Sequence, residues 1–125
     1  MMMKLKAFQL YELDEGLADL GEKELPISTS LKIQRTHKAV KNELDPINKV
    51  RSKIVNKYKD KELNDGGVQI KQDKIEVCRK ELDELMNQEI DVKVSKINIK
   101  ELESISVKPR TLGMIGELLV DGEED

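Results

Sequence analysis

The residues able to do chemistry in this chain are few, and their spacing restricts what they can do. There is one histidine, His37, and one cysteine, Cys78. A single His and a single Cys cannot supply a His/Cys-rich metal site, and one thiol supports neither a CxxC redox pair nor a disulfide framework. His37 has no nucleophile beside it at a readable spacing, and its position on an apolar repeat makes it a packed, hydrogen-bonded residue at a helix contact. Cys78 lies on the apolar stripe of its own segment, where a thiol behaves as a small, inert hydrophobe. The adjacent carboxylates Asp14/Glu15 and Glu123/Glu124 sit among other acids with nothing polar converging on them, so solvation accounts for them. Asp65-Gly66-Gly67 lacks the Lys-Ser/Thr of a phosphate loop and the ligand ladder of a calcium loop, and reads as a turn. The expectation is therefore no catalytic residue, no cofactor-binding residue, no metal ligand and no cofactor: the chain is not expected to be an enzyme.

What remains is charge. The 22 basic and 25 acidic residues leave a net charge of −3, but they are unevenly spread. The segment 10–25 is acidic, 31–61 is basic, and the tail 121–125 is acidic again. Within the basic stretch Lys38, Lys41, Lys49, Lys53 and Lys57 recur at three- or four-residue steps within each half, which makes them the candidate interaction surface. Two uses compete: internal charge matching against the acidic N-terminal segment, or attraction of an acidic partner. A nucleic-acid backbone could be tracked by the same lysines. That reading ranks below a protein partner, because the chain is acidic overall and its 2% aromatic content, with no Trp, leaves almost nothing to stack on bases. An apolar stripe this narrow, already needed for helix packing, also argues against a membrane-surface role.

Elements must hold these residues in place, and at 125 residues there is room for one domain with an aliphatic core under a surface that is 38% charged by composition. Leu10, Leu13, Leu17 and Leu20 predict a short amphipathic helix. Ahead of it, residues 3–8 alternate weakly and fit either an edge strand or a frayed helix start. After Leu25-Pro26, Ser28, Thr29 or Ser30 can cap a long helix running from about residue 30 to 59, in which Ile33, Val40, Ile47 and Ile54 repeat every seven residues. Leu44 and Tyr58, with His37 and Arg51, fill the alternate seam positions. Pro46 falls inside that register; because the register continues across it, one kinked helix is expected rather than two.

A reversal at Asp65-Gly66-Gly67 and a second helix over 74–88, with Ile75, Cys78, Leu82 and Leu85 inward, complete a helical hairpin. Ile90, Val92 and Val94 then alternate as a strand, Asn98 can cap one helical turn, and Pro109 opens a last helix to Leu119 that docks on the domain. The fold class expected is α+β, mainly α: a long kinked helical hairpin with a short β unit and a docked C-terminal helix. It forms one domain over 1–125, divided into 1–26 (strand and helix), 28–88 (hairpin), 89–120 (strand and short helices) and 121–125 (acidic tail). The shorter hairpin partner leaves half the long stripe bare, to be covered by the N-terminal helix or by a second copy in a homo-oligomer.

With no apolar run of membrane-spanning length and no signal-like hydrophobic opening after Met1-Met2-Met3-Lys4, a cytoplasmic protein is expected. This layout resembles the small accessory proteins of bacteriophages and prophages, especially those of Gram-positive hosts. The residues that carry the resemblance are Leu25-Pro26-Ile27-Ser28, Lys53-Ile54-Val55-Asn56-Lys57-Tyr58, the Asp-Gly loop, Lys80-Glu81-Leu82-Asp83-Glu84-Leu85, Glu89-Ile90-Asp91-Val92 and the Leu/Ile-rich end after Pro109. The likeness spans 25–119, with Pro46 departing from an uninterrupted helix. It implies a non-enzymatic product acting in the host cytoplasm by binding another macromolecule, either as an inhibitor of a host or defence protein or as an assembly component.

Overall fold

Leu10, Leu13, Leu17 and Leu20 are all fully buried, and the core is built around this stripe. The computed structural model describes residues 1–121. The stripe belongs to α1 (Ala7–Gly21), which lies against α2 (Ile27–Tyr58) and meets its buried residues Ile33, Val40, Leu44 and Ile47 in one hydrophobic cluster. Gly16 lets a third element close over α1: a Cβ there would lie 2.7 Å from Ile115 Cγ2 and 2.9 Å from Met114 Cβ. That element is α4 (Pro109–Met114), followed by a 3-10 turn at Gly116–Leu118 that buries Leu118.

Residues 3–8, which fitted either a strand or a helix start, divide between the two. β1 (Met2–Lys6) pairs antiparallel with β4 (Glu89–Lys93), and the helix begins at Ala7. One face of this two-stranded sheet buries Leu5 and Val92. The other is solvated and sets Lys4 against Asp91 and Lys6 against Glu89, opposite charges that favour this register.

α2 is one continuous helix with Pro46 inside it. The carbonyl of Asn42 loses its helical donor there, but Asn42 and Pro46 are both exposed, so water can replace the missing bond. The cap differs from expectation. α2 starts at Ile27 behind Pro26, and none of Ser28, Thr29 and Ser30 caps it. Thr29 is buried and its hydroxyl donates to Glu101, while Ser30 Oγ donates to the Leu25 carbonyl.

After α2, a hairpin of β2 (Lys59–Glu62) and β3 (Val68–Ile70) makes the reversal, with Gly66 at φ 88° and the Gly67 N–H donating to Asp65 Oδ1 at 2.9 Å. α3 (Ile75–Met86) then returns along α2: Glu81 meets Lys57 and Tyr58, while Leu82 and Met86 share a hollow with Arg51. It is a lesser partner than expected. Cys78 is its one fully buried residue, and Ile75 and Val77 are each 40% exposed. Ile75, Cys78, Leu82, Leu85 and Met86 share one face of α3 at three- and four-residue steps, but that face is covered only in part, whereas all four leucines of α1 are enclosed. Since α1 covers the stripe from Ile33 to Ile47, the reason for expecting a second copy there falls away.

Asn98 caps a 3-10 turn at Ile99–Leu102 as its type suggested, with its side chain accepting from Lys100 N–H and its own N–H donating to Glu101 Oε2. The last helix is shorter than the expected 109–119. It ends at Met114, and Leu119–Val120 form β6, parallel to β5 (Ile97–Asn98). Gly113 and Gly116 weaken a helix here, and the break after Met114 with the turn at Gly116–Leu118 carries Ile115 and Leu118 into the core, leaving Leu112 outside at 37% exposure. Of the acidic tail only Asp121 is among the described residues; Glu123 and Glu124 lie outside them. No described helix is long and apolar enough to cross a membrane.

Candidate interaction surface

Because the seam residues of α2 point at α1, its opposite side must face solvent, and Lys38, Lys41, Lys49, Lys53 and Lys57 are all exposed there. Lys57 is the exception to an open lysine face. Its ammonium donates to Glu81 Oε1 at 2.6 Å and lies 4.9 Å from the centre of the Tyr58 ring, while the Tyr58 hydroxyl donates to the other oxygen of Glu81. The Glu81 hydrogen bond pushes both the Lys57 ammonium and the Tyr58 hydroxyl above their ordinary pKa, and the bonds from Lys57 and Tyr58 hold Glu81 below its own. Lys38, Lys41, Lys49 and Lys53 make no ion pair with a described residue.

The internal matching expected between these lysines and the acidic α1 is not formed. Asp14 takes His37 Nε2 at 2.8 Å, Glu15 takes Arg110 at 3.0 Å, and Asp19 accepts from the Thr111 hydroxyl. Each of these contacts ties α1 to α2 or α4, so the acids of α1 serve packing on its flanks. The lysine face is left with Asp45, between Lys41 and Lys49, as its own acid.

The lone chemical residues occupy structural places. His37 has a side chain 13% exposed and is held by Asp14, with no nucleophile against it. Cys78 is buried and free. Among the described residues no group of three His, Cys, Asp or Glu side chains could hold a metal ion, and no buried side-chain polar atom lacks a partner. Compared with known proteins, no family model, no curated protein and no solved structure matches this chain.

Sequence reasoning missed two groups. Arg51 shares the seven-residue phase of the seam, yet it is exposed and lies 5.7 Å from the centre of the Tyr11 ring, over a hollow lined by Phe8, Tyr11, Leu82 and Met86. A charged residue at a seam position was the available signal that the apolar cover ends there. The second group is Glu101, which accepts from Thr29, Lys32 and the Asn98 N–H and ties the start of α2 to the turn after β5. Burial alone would push its carboxyl up, but the Asn98 N–H, the Lys32 ammonium and the Thr29 hydroxyl outweigh it and hold the group below its ordinary value of 4.5.

A carboxyl depressed in the folded state adds stability that is complete above its unfolded pKa and is lost as pH falls through the lower folded value. Glu101→Gln is therefore expected to cost about 1–2 kcal/mol at neutral pH, in line with charge-assisted hydrogen bonds. The gap between variant and wild type, read from urea midpoints, should narrow steadily once the pH drops below 4.5. A gap independent of pH would mean that the carboxylate charge contributes nothing at this junction.

Proposed function

We propose that the chain is a non-enzymatic interaction protein that binds an acidic surface of another protein through the outward face of α2. The observation that carries this reading is the set of four lysines, Lys38, Lys41, Lys49 and Lys53, exposed on one helix and unpaired with any described carboxylate. Charge of one sign on a rigid helix steers an oppositely charged partner and fixes its orientation. The setting is taken from the resemblance of 25–119 to phage and prophage accessory proteins: action in the host cytoplasm on a host or defence protein, which the binding inhibits. A structural or assembly component of a phage particle is the other role that resemblance implies.

Nucleic acid is the competing partner for the same lysines. Against it, the rings of Tyr11 and Tyr58 already lie under Arg51 and Lys57, and Asp45 interrupts the cationic face. The deciding experiment is affinity capture from lysate of the source organism with and without nuclease treatment, with wild type and Lys38→Glu/Lys49→Glu compared by quantitative mass spectrometry. The expected result is a protein partner whose recovery falls about tenfold in the double variant, a loss typical of removing well-placed interface residues. If capture instead requires intact nucleic acid, and affinity for a random duplex falls as about the fourth power of salt concentration, the lysines read phosphates and the protein-partner reading is wrong.

A further inference from the structure

Three adjoining hollows lead round α2 from the side that faces α3 to its outward face. The first, about 330 Å³, is lined by Phe8, Tyr11, Arg51, Leu82 and Met86. The second shares Arg51 with it and adds Asn48, Ser52 and Val68; the third shares Asn48 and Ser52 and reaches Lys49 and Lys53. An apolar seat thus opens directly onto the lysine face, with Arg51 at the junction. The cations along this track are Arg51, Lys49 and Lys53, against Asp45 alone.

Two features prepare the seat for a ligand. Phe8 is 41% exposed although it belongs to a helix whose leucines are wholly buried. Arg51 stacks over Tyr11, whose hydroxyl donates to Asn48, and pairs with no carboxylate among the described residues. A guanidinium attracted to a ring whose hydroxyl is itself anchored is partly positioned before binding, and Arg and Tyr around an apolar anchor are the residues that dominate protein interfaces. The other open grooves lack this combination. The one lined by Ile99, Ile105, Val107, Leu112 and Leu119 has Glu103 as its only charge, and the outer face of α3 satisfies itself through the Arg79–Glu76 pair at 3.0 Å.

We propose that the ligand of this surface is an acidic segment of a partner protein carrying one bulky apolar side chain, seated between Phe8, Leu82 and Met86 while its carboxylates meet Arg51, Lys49 and Lys53. This rests on the acidic-partner reading above and adds the anchor to it. Phe8 is the single phenylalanine of the chain, so incorporating 4-fluorophenylalanine places one fluorine signal in the seat.

Peptides selected from a random library displayed on phage, against the full chain, are the probe. The expected winners combine several carboxylates with a Leu, Phe or Trp and shift the fluorine resonance. They should lose about tenfold in affinity to Arg51→Glu and to Phe8→Glu, and keep it with Leu112→Ser in the other groove. Phe8 lies in the first turn of α1, where a carboxylate suits the helix dipole, and circular dichroism checks that the variants fold. Acidic peptides that bind without moving the fluorine, and are indifferent to Phe8→Glu, would overturn the seat while leaving the lysine face standing. Failure to enrich acidic peptides at all would overturn both.

Discussion

Leu17→Ala is expected to lower the free energy of unfolding by about 2–5 kcal/mol, toward the upper end of that range, because the lost leucine leaves a cavity its neighbours cannot fill. Leu17 has no exposed surface and is flanked in the same cluster by Leu13, Leu20, Ile33, Ile115 and Leu118, which come from α1, α2 and the C-terminal segment. Each of those side chains is itself fixed by another element, so collapse into the void would pull several elements at once. Urea unfolding followed by circular dichroism measures the loss. A change below about 1 kcal/mol would mean that α1 is peripheral and that α3, as its spacing first suggested, is the true partner of the long helix.

Gly16→Val should cost about 3 kcal/mol or more, at or above the upper end of what overpacking usually costs, and should act differently. The first carbon added would already fall 2.7 Å from Ile115 Cγ2 and 2.9 Å from Met114 Cβ, well inside contact distance. The Met114 atom is a Cβ, bound directly to the backbone, so relief requires α4 to move away from α1. The variant is expected to keep most of its helical circular dichroism, which comes from α1 and α2, while hydrogen exchange rises selectively over residues 109–120. Exchange that rises equally everywhere would show that α4 is not a separately displaceable layer. Gly16→Ala places the same first carbon with less bulk and should give the same pattern at smaller amplitude.

How far the sequence carried depended on whether one helix or strand decided the matter. The long helix was legible because Ile33, Val40, Ile47 and Ile54 keep their phase through Pro46, and the strand at Ile90–Val94 because its alternation is unmistakable. Asn98 and Pro109 announced their turns by type. The turn at Asp65-Gly66-Gly67 was legible, but the strands β2 and β3 beside it were not: Lys-Asp-Lys-Glu has no apolar alternation, and the strands are held by backbone bonds across an exposed turn. Nor could one chain say which of two leucine-bearing stripes would win α2, since α1 and α3 both keep a three- and four-residue spacing. The deciding feature was Gly16, whose missing side chain admits α4 and encloses α1 from a second side.

At the surface, spacing found the lysines but not their pairing. Only the position of Glu81 on α3 separates Lys57 from the other four. Arg51 was placed in the seam by its phase, and it faces out because α1 begins at Ala7, close to Tyr11, so the leucine cover ends at this end of α1. Phe8 gave no signal, because an aromatic at the start of an amphipathic helix looks like core until its neighbours are known.

The pairing of β1 with β4 also sets an order of events in time. Met2 lies opposite Lys93, and the Met1 amine and carbonyl both bond to Val94, so the opening strand closes on a segment some ninety residues further along the chain. Closing a loop of that length is slow compared with docking two helices joined by a few residues, as α1 and α2 are. While the chain is being synthesised, the helix pair can assemble early. Leu5 and the leucine line of α1 must then wait for Val92, Ile115 and Leu118 to emerge. Until that later segment has been made, Leu5 and the side of α1 that faces Ile115 and Leu118 stay uncovered, the interval in which a chain is most exposed to aggregation and to capture by chaperones.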